Sequence, residues 1–421
     1  SLRRSRALAL LLTGLLPDAA AWPEDAKTPP PYCGTRFMAP AAPLHATDLN
    51  GVSIPDVCFM NRSEAHHVFV IGDWGGIVLN PGGVPDYHWK AQPVPADQRS
   101  PNFKGQARKF VRGVDDSAQV RVAKQMAKRA RLNRAPDYIL NVGDNFYWGG
   151  ITAKCGAPPY QHLGTGQWKS VFEEIYTGPG IDHKQWLGVL GNHDYGGWKF
   201  TAAWDQAIGY TWGAAKSKDS TDRWMTPAQY WKSKVWYPDF SVDYYFLDTN
   251  VFNAYRPDMF ENHNLCGSAN NPAGSSCGSQ GPVSTEDCPG WFARLWEEQM
   301  EWLQDHLDQS QADWQIIVTH FPPEWGRDGW IQLAQVYGID LIITGHRHRQ
   351  EVWAPHHKDN FLGATAWIVS GGGGGITAES VPRKDGCDDE YGFMDIAVAK
   401  DRMTIDTISH GGVLRSRTTI V

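Results

Sequence analysis

Several common signatures are missing from this chain, and each absence narrows the reading. None of the seven cysteines forms a C-x-x-C pair, which argues against a zinc ribbon. Positive charge is in short supply: a formal net charge of −7 leaves no electrostatic footprint for a nucleic-acid partner. Beyond the N-terminal segment no apolar run approaches the ~18 residues of a membrane-spanning helix, and no internal repeat is present. The glycine run 371–375 is followed by neither Lys-Ser/Thr nor a helix start, so a phosphate-binding loop is not expected there. Close approach of backbone to its surroundings is the better use of those glycines. What is there is a globular composition, 42% hydrophobic and 20% charged over 421 residues, with ample length for a large core. Twenty tryptophans find no account beyond core and rim packing.

The N-terminus reads SLRRSRALALLLTGLLPDAAAW. Arginines, a short apolar stretch and small residues in that order are the pattern of a secretory signal peptide over residues 1–21, with cleavage near Ala21. The alternative is an uncleaved anchor, which would be the chain's one link to a membrane. A secreted protein, or one held in a secretory or lysosome-like lumen, is expected to carry disulfides. Seven cysteines then give two or three bridges and one thiol left over, with connectivity open. The sequon Asn61-Arg62-Ser63 fits the same compartment.

Residues 22–64 are rich in Pro and Ala and read as an irregular extension before a domain over 65–421. Order begins at VFVIGDWGG, where a short continuous apolar run ends in Gly-Asp. Runs of this kind suit strands buried on both faces of a sheet covered by helices. The pattern recurs at DYILNVGD (137–144), WLGVLGNHD (186–194), WQIIVTH (314–320) and DLIITGH (340–346). Apolar periodicity predicts helices over 118–133, about 291–307 and about 330–337. The basic face of the first is read as solvated. Strand–helix–strand order argues for an α/β sandwich. The C-terminal stretch alternates and turns at Lys400-Asp401, predicting an antiparallel hairpin and a further strand. Turn-rich stretches at 76–117, 197–236 and 251–290 read as surface loops, the first and last as insertions able to overhang a site.

In an open α/β sheet the loops leaving the carboxyl ends of the strands gather at one edge. Five strands deliver Asp73, Asp144, Asn192, His320 and His346 there, with His348 two residues further on. Each residue alone is ordinary loop material; the ordered set is not. A carboxylate can bridge two cations, and Asp144 is the natural bridge. A mixed set of Asp, Asn and His suits a pair of transition-type metals better than a calcium cage. Two such cations ~3.5–4 Å apart can clamp the attacking and leaving oxygens of a phosphoryl displacement. His66 and His67 precede the first strand at its far end and are expected at the surface. Trp74 and Trp148 either wall the site or pack beneath it.

Through GDWG, GDNFY, GNHD, VTH and GHRH the chain resembles the calcineurin-like metallophosphoesterases over residues 68–348. Most of that superfamily has a histidine ligand two residues after the first Asp, where this chain has Gly75. Purple acid phosphatases also lack it and use a tyrosine, which VGDNFYWGG supplies as Tyr147. The closer resemblance, over about residues 66–421, is to the small, tartrate-resistant type of purple acid phosphatase, through VFVIGDWGG, ILNVGDNFYWGG, VLGNHDY, YYFLDT, DWQIIVTHFP and WIVSGGGG. It implies a β-sandwich of two mixed sheets flanked by helices, with a dinuclear site at the carboxyl edge of the strands. Asp73, Asp144, Tyr147 and His348 would hold Fe(III), and Asp144, Asn192, His320 and His346 a divalent Fe, Zn or Mn.

The implied activity is acid phosphatase, with hydroxide on the metals attacking a small phosphate monoester. His193 would hydrogen-bond the phosphate, and Asp194 would orient that imidazole or shape its loop. The small purple acid phosphatases carry another histidine after the ligand equivalent to His320. Here the segment is FPPEWGRDGW, where Glu324, Arg327 or Asp328 would have to substitute, or His193 serve alone. Two alternatives stand beside this reading: a phosphodiesterase or nucleotide hydrolase on the same site, and a non-catalytic scaffold on the same fold.

Overall fold

The computed structural model describes residues 28–30, 33–61, 65–76, 79–80, 84–85, 108–156, 164–212, 220–259 and 264–421. The signal-peptide segment, Arg62 and Ser63 of the sequon, and most of the 76–117 insertion lie outside these residues. In chain order the strands begin with β1 (Val52–Ser53), β2 (Val57–Cys58), β3 (His66–Ile71), β4 (Leu79–Asn80), β5 (Val84–Pro85), β6 (Tyr138–Asn141), β7 (Trp186–Gly188) and β8 (Trp224–Met225). They continue with β9 (Trp231–Trp236), β10 (Ser241–Phe246), β11 (Trp314–Val318), β12 (Leu341–Thr344), β13 (Gln350–Trp353), β14 (Ala366–Ser370), β15 (Gly392–Val398), β16 (Met403–Ser409) and β17 (Leu414–Ile420). The helices are α1 (Ala118–Ala130), α2 (Asn192–Tyr195), α3 (Trp204–Gly209), α4 (Cys288–Gln309) and α5 (Arg327–Tyr337).

Two mixed sheets face each other. One runs β17-β16-β15-β3-β6-β7-β8; the other runs β1-β9-β10-β11-β12-β14-β13, with β2 also on β9. Within them β3, β6 and β7 are parallel, as are β10, β11, β12 and β14. Side-chain alternation in the apolar runs explains the layering. Val68, Val70, Tyr138 and Leu140 point inward to meet Ile316, Val318, Leu341 and Ile343 between the sheets. Their neighbours Phe69, Ile71, Ile139, Ile317 and Ile342 face outward, where helices cover them. α1 turns Val122, Met126 and Ala127 inward, and α4 turns Phe292, Leu295, Leu303 and Leu307 inward. Pro289, in the first turn of α4, lacks an N–H only where the helix has no partner for one.

Three expectations need correction. Residues 33–61 are more than an irregular extension: β1 and β2 pair in parallel with β9, Cys33 is bridged to Cys58, and Phe37 packs edge-on against Tyr138. The described parts of the 197–236 stretch, 197–212 and 220–236, are not surface loop; they hold α3, β8 and β9, and bury Trp204, Trp224 and Trp231. His66 is not a surface residue but is buried against Asp137, and His67, partly exposed, pairs with the buried Asp395. The basic face of α1 is also partly engaged, since Arg129 forms ion pairs with Asp395 and Asp406.

The remaining bridges are Cys155–Cys277 and Cys266–Cys288, leaving Cys387 as the free thiol. Both tie down the 251–290 stretch, which has no hydrophobic period to fix it. Many of the tryptophans are core: Trp74, Trp186, Trp204, Trp224, Trp231, Trp330 and Trp367 are fully buried.

Candidate metal centre

The carboxyl ends of β3, β6 and β7 from one sheet meet those of β11 and β12 from the other, and the seven expected donors converge there. Ligand atoms of Asp73, Asp144 and His320, all buried, lie within 4.8 Å of one another. Tyr147 Oη stands 2.8 Å from Asp144 Oδ2, 3.1 Å from Asp73 Oδ1 and 3.3 Å from His348 Nε2. Asn192 Oδ1 is 3.2 Å from both His320 Nε2 and His346 Nδ1. His320 Nε2 is 3.3 Å from Asp144 Oδ2, and His348 Nε2 is 3.5 Å from Asp73 Oδ1. Asp144 therefore stands between the two groups of donors.

The supporting contacts fix how the donors are presented. His320 Nδ1 donates to Val142 O at 2.7 Å, which leaves Nε2 for the site. Asp144 Oδ1 accepts the His193 N–H at 2.8 Å, and Asp73 Oδ2 accepts the His346 N–H at 3.1 Å. Burial, followed by the Asp144 and Asp73 carboxylates, pushes the Tyr147 phenol well above its usual range. Burial would raise Asp144 too, but the imidazoles of His320 and His193 outweigh it and hold this carboxylate low. Burial would lower His320, yet Asp144 lifts it to about 9. These protons occupy the lone pairs for which a cation would compete. Two buried carboxylates, a buried carboxamide, three imidazoles and a phenol at one point fit a pair of transition-metal cations.

Glycines make the convergence possible. A Cβ on Gly75 would stand 1.9 Å from Asn145 O, so the position where the resemblance led one to look for a histidine has no room here for any side chain. Tyr147 reaches the same centre from β6's loop. Gly371 and Gly375 do what close backbone approach requires: a Cβ would stand 2.2 Å from Arg347 O and 2.3 Å from the Tyr147 ring, respectively.

Of the other expected residues, His193 lies against Tyr147, ring centroids 4.4 Å apart, with Nδ1 2.6 Å from Trp148 O. Asp194 shapes the loop rather than the imidazole: its carboxylate accepts from the N–H groups of Asp144, Asn145 and Gly191. Glu324 is exposed and bonded to Arg347 Nη1 at 3.0 Å. Trp74 is core, bonded to Asn141, whereas Trp148 borders the site beside His193 and Trp198. Sequence reasoning missed Glu379, which accepts the His348 N–H at 3.2 Å, and the buried turn Asp248-Thr249-Asn250. That turn follows an apolar run just as the ligand loops do, which was the available signal.

A family model described as calcineurin-like phosphoesterase matches residues 66–350. The chain belongs to this family, whose members use a dinuclear metal centre. Tartrate-resistant acid phosphatase type 5 of Oryctolagus cuniculus is 24% identical over 262 residues, 60% of this chain and 65% of that protein. The Homo sapiens protein of the same name is 23% identical over the same length. Purple acid phosphatase 7 of Arabidopsis thaliana is 26% identical over 244 residues, 55% of this chain and 61% of that protein. The chain thus spans less than two thirds of the length of these relatives. Among solved structures, GAP50, the anchor in the inner membrane complex of Plasmodium, has a TM-score of 0.52 at 16% identity, covering 84% of this chain and 88% of that one. At that identity the likeness concerns the fold.

Proposed function

We propose that the protein is an acid phosphatase that hydrolyses small phosphate monoesters at a centre of Fe(III) and a divalent Fe, Zn or Mn ion. The observation that carries this reading is the phenol of Tyr147, within hydrogen-bonding distance of Asp73, Asp144 and His348. A phenolate is a hard donor that favours ferric iron. Asp73, Asp144, Tyr147 and His348 would hold that ion, and Asp144, Asn192, His320 and His346 the divalent one. When bound, the two cations supply Lewis acidity and acidify water for attack in line on phosphorus.

The chain's own groups do the rest. His193, whose Nδ1 lies 2.6 Å from Trp148 O, is assigned to a phosphate oxygen, where charge grows in the transition state. Asp194 holds the Asp144 and His193 loops in register through its three backbone partners. Glu324 is occupied by Arg347 and is not proposed to protonate the leaving group. The three disulfides favour a secreted or lumenal site of action.

The test is elemental analysis beside hydrolysis assays on one preparation, using mono- and diester substrates. Two metals, a visible tyrosinate band and faster monoester hydrolysis are expected. Preference for the diester would shift the substrate class. A full metal complement with no such band would refute the ferric assignment. The scaffold reading draws on the likeness in fold to an anchor protein over 84% of this chain and on the engaged Glu324; two bound metals without turnover would favour it.

A further inference from the structure

The turn after β10 contributes no donor to the centre, yet three consecutive polar side chains are buried there: Asp248, Thr249 and Asn250 are each at most 1% exposed. Burying that much polarity is unfavourable unless it is bonded; apart from Asn250 Oδ1, which has no partner in the structure, the side-chain bonds run to two particular places. Asp248 Oδ2 accepts from Tyr195 Oη at 2.8 Å, and Asn250 Nδ2 donates to Leu190 O at 3.0 Å. These partners bracket Asn192 and His193. Thr249 Oγ1 accepts the Phe321 N–H at 3.0 Å and lies 2.9 Å from Thr319 Oγ1. Those partners bracket His320.

The turn is itself held from behind. Gln299 of α4, fully buried, accepts the Asp248 N–H at 3.0 Å and donates to the Asp248 carbonyl. Asn250 closes the turn internally through its N–H and Nδ2, at 2.8 Å and 3.0 Å from Asp248 Oδ1. A rigid helix therefore fixes a rigid turn, which fixes the residues on either side of two donors.

We infer that Asp248, Thr249 and Asn250 are positioning residues for one half of the metal centre: they set the separation of Asn192 and His320, and so govern retention of the divalent ion. The Asp73–Tyr147–His348 half is built on other contacts, notably Tyr147 N–H to Gly75 O at 2.8 Å and Gly375 N–H to Asp73 O at 2.7 Å. This inference rests on the dinuclear reading above. Removal of partners that orient metal ligands typically weakens metal affinity about 10–100-fold.

The test uses the full protein loaded with iron and zinc, titrated with EDTA, both metals counted by elemental analysis and the tyrosinate band followed in parallel. Thr249→Val should release zinc at about 10–100-fold lower EDTA than wild type, with iron and the band retained. Thr249→Ser, which keeps the hydroxyl, should behave as wild type. Wild-type zinc retention in Thr249→Val, or loss of both metals together, would overturn the assignment. Should Thr249→Val fail to fold by circular dichroism, Tyr195→Phe, which removes only the hydroxyl on the other arm, decides by the same criteria. Wild-type protein that takes up no second ion would instead sink the dinuclear reading, and this inference with it.

Discussion

Gly75→Ala is the smallest change that should disable the centre without touching a donor. The new Cβ would stand 1.9 Å from Asn145 O, 2.7 Å from Asn145 C and 2.8 Å from Phe146 Cα. All three are backbone atoms, so no rotamer change relieves the clash. Real Cβ contacts essentially never fall below 3.0 Å, so the loop carrying Asp73 must part from the loop carrying Asp144 and Tyr147 by about 1 Å. Metal sites tolerate donor displacements of about 0.2 Å. Overpacking of this kind costs about 1–3 kcal/mol, and loss of the Tyr147 N–H to Gly75 O bond adds about 1 kcal/mol. Chemical unfolding of the chelated protein should therefore give a loss of about 2–4 kcal/mol, while metal affinity falls about 10–100-fold. Gly75→His combined with Tyr147→Phe, which mimics the arrangement common elsewhere in the superfamily, should fail in the same way. A Gly75→Ala protein with wild-type stability and metal content would refute the reasoning, because it would mean the two loops are free to separate.

Tyr147→Phe should bleach or shift the visible band, whereas Asp144→Ala should strip both metals; elemental analysis beside absorption distinguishes the two, and an unchanged band in Tyr147→Phe would exclude the phenolate ligand. Asp205 is buried in α3 and its carboxyl is pushed up to about 6 by desolvation, against the backbone N–H bonds from Gly156 and Gln206. A raised carboxyl binds its proton more tightly in the folded chain, so its contribution favours the native state at low pH and is lost as pH rises from about 4 through 6. Asp205→Asn should accordingly gain up to about 3 kcal/mol relative to wild type between pH 4 and 7, read from unfolding at each pH; a constant difference would sink the burial argument. With Glu324 held by Arg347, turnover should depend steeply on the leaving group, aryl phosphates with acidic phenols far outpacing alkyl phosphates. A flat dependence would reveal a proton donor elsewhere.

Much of this was written in the sequence because the signals were local. Continuous apolar runs ending in Gly-Asp, Gly-Asn or a histidine specify strand, turn and donor within ten residues, and all five runs form strands as expected. α4 and α5 begin within three residues of the predicted starts. What stayed illegible depends on distant partners. Residues 33–61 have no period of their own; the Cys33–Cys58 bridge and pairing with β9 give them shape. The segment holding Trp224 and Trp231 reads as turn-rich, with β8 only two residues long, yet Trp231, Ser233 and Val235 alternate inward as a strand should. His66 becomes buried and His67 partly so because Asp137 and Asp395, 71 and 328 residues away, receive them.

Backbone conformation ties the donors to the fold in a way that no spacing pattern reveals. Asp73, Asp144 and His346 have φ of 56°, 53° and 68°, in the left-handed region that L-residues occupy at a cost of about 1–3 kcal/mol each. Aspartate and histidine tolerate it better than most, but glycine would relieve it entirely. Each of the three follows a glycine, Gly72, Gly143 or Gly345, so the chain already spends its conformational freedom on turning sharply out of the strand. A second glycine would complete the turn without strain and would bring no donor. Asn133, His183, Asp222, Arg256 and His356 share this conformation elsewhere in the chain, but at Asp73, Asp144 and His346 it delivers an oxygen or nitrogen at the sheet edge, where a bound cation, which stabilises only the folded arrangement, would offset it.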